Sequence, residues 1–536
     1  MPGKKVIVLG LDGFELTVAD ALIAAGKMPN LARLRETGAS YLLDHGTARQ
    51  TGLAWEHFST GKDPDGYERW SAVDFDASTY AADQLPTRAT SFIEGAHDPI
   101  VCFDVPYMNL RDAPSTRGMA NWGAHDPGVD CHSTPPELVD EVMRQFGPYP
   151  GKKYIYGFVW PSADAAEDMA DQMIASMRKR TEVTSWLLKE RLPDWQLAVT
   201  VVAELHSVSE ALWHGFDPSH PLYRHVSAVA ARRGIEGVYM ETDSLIARLE
   251  AEHPDATLVI FSMHGMGPNT ADLASMVLLP EILYRRQFGR SFLHPRPDWS
   301  VECPMLGPDE DWGRAVKSRL GASPPPALGA RSSGLVGSTL AKLMRLRTAG
   351  RTKVPISWMP ASHYAPFWPE MDAFAIPAFY DGQVRVNLEG REAKGRVPIG
   401  DYLSTLDEIE ALLRSARDAA TGEEVVAQIE RPLADTPFDN AASRCDLKVT
   451  WARNAYAIDI PGIGRVGPVP QRRTGGHTGQ HGYALIVGAD DDLVRQDTVS
   501  SFDMVPTILD LAGIDGPAGL SGRSLVEPRH RAGPQT

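Results

Sequence analysis

The chain has 536 residues, of which 43% are hydrophobic and 23% charged. This is an ordinary globular composition, and it excludes collagen-like, disordered and coiled-coil architectures for the whole chain. Lys and Arg number 53 against 69 Asp and Glu, a formal net charge of −16, so no excess of cations is present to meet a phosphate backbone, and polymeric nucleic acid is excluded as a general partner.

The first element is KVIVLGL at 5–11. Asp12 and Glu15 interrupt the apolar stretch, and no small-residue cleavage site follows, so it reads as a buried strand rather than a targeting segment. No apolar run approaches the ~20 residues that cross a bilayer, so no membrane partner is expected. Cys102, Cys131, Cys303 and Cys445 lie far apart without a CxxC pair. They suggest neither a disulfide framework nor a thiolate metal site, and the cytoplasm is the expected compartment.

Three further apolar, β-branched runs follow: WQLAVTVVA at 195–203, ATLVIFS at 256–262 and GYALIVG at 482–488. All four runs read as buried parallel strands. The first three lead straight into polar residues: Asp12; Glu204 and His206; Met263 and His264. The fourth is preceded by RTGGHTGQH at 473–481. In open α/β sheets ligands bind at the carboxyl ends of the strands, which is where these polar residues fall.

Helical spacing marks 167–191 and 503–514, the latter ending at Gly513. The segment 48–61 (ARQTGLAWEHFSTG) reads as a helix start with Thr51 as its cap; such a terminus also suits a phosphate, and a hydroxyl placed there can act as a nucleophile. In AELHSVSEALWHG, His206 and Glu210 are four apart and share one helical face, so they can hold one metal ion, with Glu204 just before them and His214 continuing the spacing. His264 and His477 sit in Gly-rich loops open to close approach. From about 268 to 470 the patterning is weaker and proline-rich. This part reads as an inserted cap or subdomain between a first core part (1–267) and a last core part (471–536). It contains a proline-rich linker at 322–334 and a strand-like stretch at 373–395, whose Arg385 and Asn387 are candidate substrate contacts or else ordinary residues of an exposed strand.

Taken together, VIVLGLDGFE…KMPNLARLRETGA, TGLAWEHFSTGKDP, SMHGMG, RTGGH and SFDMVPTILDLAGI…LSGRSLVE resemble, in order and span, the alkaline phosphatase superfamily and within it the type I phosphodiesterase/nucleotide pyrophosphatase branch. The resemblance implies an α/β core with a largely parallel central sheet flanked by helices. It also implies two metal ions, usually zinc, a Thr or Ser nucleophile, and a small-molecule phosphoester substrate. By position, Asp12, Thr51 and His264 match the ligands of one ion, and His477 matches the late His of the other.

The chain departs from the family pattern at three places. Met263 stands where the family has Asp, His206 and Glu210 replace an Asp-then-His pair, and Pro64-Asp65-Gly66-Tyr67 lacks the motif His. Two imidazoles and a carboxylate (His206, Glu210 and His477) still suit zinc, iron or manganese. A neutral thioether is a poor ligand for a hard divalent ion, so one or two ions are expected, with Glu204 a possible replacement ligand. The leading expectation is a metal-dependent hydrolase or transferase of a phosphate ester with Thr51 as nucleophile. A single-metal member acting on a specialised, phosphonate or non-phosphate substrate is the alternative, and a non-catalytic binding protein the second. Oligomeric state is left open.

Overall fold

The computed structural model describes residues 4–85, 90–124, 129–156, 159–322, 354, 356–489 and 493–527; most of the 322–334 linker lies outside them. Nine strands form the central sheet: β1 (Val6–Leu11), β2 (Ala39–Asp44), β3 (Ile100–Phe103), β4 (Arg117–Ala120), β5 (His132–Thr134), β6 (Leu197–Val202), β7 (Thr257–Ser262), β8 (Gly482–Val487) and β9 (Thr498–Ser500). Their spatial order is β9-β2-β8-β7-β1-β6-β3-β4-β5. The central pairings β7-β1-β6-β3-β4 are parallel.

Along β1 the side chains alternate between two apolar layers. Ile7, Leu9 and Leu11 join the layer beneath the long helices α2 (Ala163–Trp186) and α4 (Ala228–Glu252), with α3 (Glu204–Leu212) between those helices in sequence. Val6 and Val8 join the layer beneath α1 (Ala54–Thr60) and α5 (Met504–Ala512). A strand buried on both faces needs the continuous apolar run seen in the sequence.

The fourth strand is a correction. β8 runs antiparallel to both neighbours, β7 and β2. Apolar runs encode burial but not direction. The reversal has a structural effect, because Tyr483 near the start of β8 pairs with Ser262 at the end of β7. The loop before β8 therefore lies at the edge where β1, β6 and β7 deliver their last residues.

Between 373 and 466 stand a four-stranded antiparallel sheet (Ala373–Ile376, Gly382–Val386, Leu447–Trp451, Val426–Glu430) and a three-stranded one (Arg417–Asp418, Ile458–Ile460, Gly464–Val466). These pack around a further apolar cluster that includes Phe374, Val384, Val449 and Ile458 and also takes in Phe75, Trp160 and Leu222 from earlier in the chain. No helix among the described residues is long and apolar enough to cross a membrane.

Candidate metal centre

Four chain segments converge at the carboxyl edge of β1, β6 and β7. Asp12 directly follows β1, and its N–H donates to Val202 O at the end of β6 (3.0 Å). α3 begins two residues after β6 and carries His206 and Glu210 one turn apart. His264 follows β7, and the loop before β8 brings His477. Close approach is built in by glycine. At Gly13 (φ +71°) a Cβ would lie 2.5 Å from His206 Cα, and at Gly475 one would lie 2.0 Å from Ser209 O. These two positions let the loops after β1 and before β8 sit directly against α3.

His206 Nε2 and His477 Nε2 are 2.9 Å apart, and Glu210 Oε1 lies 3.4 Å from the first and 3.9 Å from the second. Tetrahedral ligands at ~2.0–2.1 Å from zinc are separated by ~3.3 Å, so the three atoms stand at coordination spacing. They are the one group of three or more His, Cys, Asp or Glu ligand atoms at such spacing among the described residues. The set is therefore suited to a divalent ion. The His264 ring lies 4.2 Å from His477, whose other side stacks on Tyr380 at 4.1 Å.

The electrostatics are coupled. Burial raises the Asp12 carboxyl, opposed by His206 and by the Trp55 indole N–H. Burial also penalises a charged Glu210, but Arg473 and His206 outweigh it and hold that carboxylate well below its usual range. His206 is desolvated, yet Glu210 and Asp12 raise its pKa. Burial takes His264 down to about 4, and burial with the neighbouring imidazoles takes His477 well below its ordinary value. Glu210 is thus held ionised and His264 and His477 neutral, as a cation requires, whereas His206 is biased toward its protonated form and would release that proton to a bound cation.

Arg473 organises one side of the site. It donates to Glu210 Oε1 and bidentately to Asp272 (2.8 and 2.8 Å), which also accepts from Arg472 (2.9 Å). Asp272 and Arg472 were not anticipated. The Arg-Arg pair directly before the TGGH loop was the available signal. The cavity above the site has a volume of about 630 Å³, and Trp55, Tyr107, Tyr156, Trp358, Phe379 and Tyr380 form its aromatic walls.

Other expected site residues lie elsewhere. Thr51 does not cap α1. It closes the short turn Gly46–Thr51, and Leu53 takes the cap position. Its hydroxyl donates to Ala48 O (2.7 Å) and accepts from Leu53 N–H (3.1 Å); Thr51 lines a separate cavity of about 370 Å³, and Gly52 is the residue of this turn that lines the metal-site cavity. Glu204 is fully buried and accepts from Arg180 Nε through both oxygens (3.0 and 2.8 Å), so it is committed away from the His cluster. Arg385 and Asn387 are buried, not exposed. Arg385 pairs with Glu392 (2.7 Å), and Asn387 binds Tyr80 OH and the carbonyls of Trp368 and Met371. Both hold the second sheet together and line none of the cavity above the site. Met263 is buried in the apolar layer beside Phe261. His214 is held by Ser227 (2.9 Å) and Thr474 (3.3 Å).

The family model for type I phosphodiesterase / nucleotide pyrophosphatase matches residues 6–301, which carry β1 to β7, Asp12, His206, Glu210 and His264. The chain belongs to that family. Membership makes it an enzyme of the phosphoric ester hydrolase class, within a metal-dependent superfamily. No curated protein matches the chain. Among solved structures, phosphonoacetate hydrolase from Sinorhizobium meliloti 1021 in complex with phosphonoacetate is 16% identical over 95% of this chain and 96% of its own, with a TM-score of 0.49. Murine ectonucleotide pyrophosphatase / phosphodiesterase 5 is 10% identical over 96% of each chain, with a TM-score of 0.45, and the human protein is 11% identical over the same shares, with a TM-score of 0.44.

Proposed function

We propose that the chain is a metal-dependent hydrolase of a phosphate ester or phosphonate ester, with one divalent ion held by His206, Glu210 and His477 and with water rather than Thr51 as the attacking group. The observation that carries this reading is the convergence of those three ligand atoms on the floor of the aromatic cavity. Two imidazoles and a carboxylate favour zinc, with iron and manganese also accommodated. A bound ion would supply Lewis-acid polarisation of a phosphoryl oxygen.

The remaining roles belong to the protein. Asp12, which lines the cavity with Arg473, accepts the proton of the incoming water as general base. The new bond joins that water oxygen to phosphorus, the bond to the leaving ester oxygen breaks, and the proton held on Asp12 passes to that oxygen or to solvent. The aromatic walls exclude bulk water from the reacting group. Arg473 holds Glu210 in place through its bidentate anchor on Asp272. Residues 268–470 act as the cap that shapes the cavity. A single ion follows from the Asp12 side of the site, where Met263 lies in the core and Trp55 donates to the Asp12 carboxylate.

The test is turnover of bis(p-nitrophenyl) phosphate and p-nitrophenyl phenylphosphonate by chelated and zinc-, iron- or manganese-loaded protein. Ion-dependent release of nitrophenolate supports the reading. A loaded chain inert to both would overturn it.

A further inference from the structure

A second cavity of about 690 Å³ adjoins the first, and its walls include Trp312, Arg314, Lys317, Trp358 and Arg472. Trp358 and Arg472 also line the metal-site cavity, so the two spaces meet at this pair. The Arg472 guanidinium lies 4.6 Å from the Trp358 ring centre and 5.9 Å from that of Trp312. Trp312 is itself fixed by its indole N–H, which donates to Pro470 O (2.7 Å). Arg472 is thus a cation placed at a junction by two indoles rather than a loose surface side chain.

The charge here runs against that of the chain. In a protein of net charge −16, this cavity gathers Arg472, Arg314 and Lys317 against one carboxylate, Asp311. Asp311 is already used to cap the helix Trp312–Lys317, accepting from Arg314 N–H (2.8 Å). Arg472 pairs with Asp272, but Arg473 engages both oxygens of that same carboxylate. Glu210, the other carboxylate near the arginine pair, faces the metal ligands. Arg473 is thus shared between Asp272 and Glu210, and Arg472 has one oxygen of Asp272, which Arg473 also engages. Planar guanidinium, ammonium and two indole faces together suit an oxyanion carried on an apolar tether.

We propose that the substrate carries a second anionic group, remote from the bond that is cleaved, and that this carboxylate, phosphate or sulfonate docks against Arg472, Arg314 and Lys317. The proposal deepens the hydrolase reading and rests on it for the position of the reacting end. It assigns the Trp312–Trp358 cavity as the subsite that selects among esters.

The experiment compares two phenylphosphinates with alkyl chains of equal length, which have P–C bonds in place of the ester linkage and so offer no ester to cleave, one ending in a carboxylate and the other in a methyl group. Several chain lengths span the junction, and binding to the full, metal-loaded chain is measured by titration calorimetry. At the best length the carboxylate compound binds at least tenfold more tightly, and its advantage shrinks as salt rises. In the Arg314→Ala/Lys317→Ala double variant the advantage falls to threefold or less. Arg314 is exposed and Lys317 partly so, so the variant keeps its fold, which circular dichroism checks. Equal affinities at every length, binding of neither compound, or an advantage that survives in the double variant overturns the proposal. Loss of ion-dependent turnover of bis(p-nitrophenyl) phosphate, which has no remote anion, tests the hydrolase reading separately.

Discussion

His206 and His477 face each other through their Nε2 atoms at 2.9 Å, with ring planes at 88°, although 271 residues separate them. Two imidazoles at this distance either share one proton or turn both lone pairs toward a cation. Glu210 Oε1 beside them supplies the negative charge that favours the cation.

Protein purified without chelator is therefore expected to carry about one divalent ion per chain. His206→Ala or His477→Ala should each weaken ion binding by at least a hundredfold, since each removes a direct ligand. Plasma mass spectrometry of the three proteins checks this. Two ions per wild-type chain would mean that the Asp12 and His264 side holds an ion of its own.

Thr51→Val is expected to leave turnover within about threefold of wild type. It removes a hydroxyl bonded to Ala48 O and Leu53 N–H, at a cost of ~0.5–1.5 kcal/mol per hydrogen bond. Asp12→Asn should lower turnover by roughly 10²–10⁴, the usual contribution of a general base. The reverse ranking of the two variants would restore Thr51 as the nucleophile.

Glu204→Gln should leave the ion content unchanged while lowering stability. Arg180 pairs with both Glu204 and Asp104, and all three side chains are fully buried. Asp104 also accepts from Trp122 and Gly123 N–H (2.7 and 2.8 Å). Arg180→Met would strand two carboxylates without their cation and should cost ~3–5 kcal/mol. Urea unfolding beside metal analysis separates this structural role from a ligand role.

Acid should destabilise the metal-free protein over a defined window. Burial takes His57 and His214 down to about 3, and His220 and His264 down to about 4. The unfolded chain protonates these groups near pH 6.5, whereas the folded chain does so only near their lowered values. Stability is thus complete above pH 6.5 and falls as the pH drops toward 4, by up to tenfold per pH unit in the folding equilibrium for each group. Urea midpoints measured from pH 7.5 to pH 4.5 report it, and a flat profile would refute it.

The parts of the site legible in the sequence were those where a strand run ended in a polar residue. Asp12 and His264 declare themselves because an apolar strand breaks off beside them, and His206 and Glu210 do so by helical spacing. What stayed hidden was partnership at long range. Nothing near Glu204 reveals that Arg180, on a different helix, claims both its oxygens. Nothing in QVRVNLEGRE shows that a second sheet packed on a further apolar cluster buries Arg385 and Asn387. Thr51 matched by spacing alone, whereas the direction of its hydroxyl is set by the turn at Gly46–Thr51, which the helix-start pattern did not foretell. The arginine pair at 472–473 was visible, but its meaning depended on Asp272, two hundred residues upstream.

The reversed strand β8 also fixes when this enzyme can become active during its own synthesis. β8 is the element that joins β7 to β2, and the loop that leads into it carries His477. Between completion of β7 and completion of β8 a translating ribosome adds residues 263–487, which takes on the order of ten to forty seconds at ~5–20 residues per second. Throughout that interval the edges of β7 and β2 that β8 will cover stay open, of the kind that invite pairing with other chains, and the proposed ion site lacks His477. Arrival of β8 closes the facing edges of β7 and β2 together and brings in the last residue of the proposed ion site, and β9 then covers the outer edge of β2.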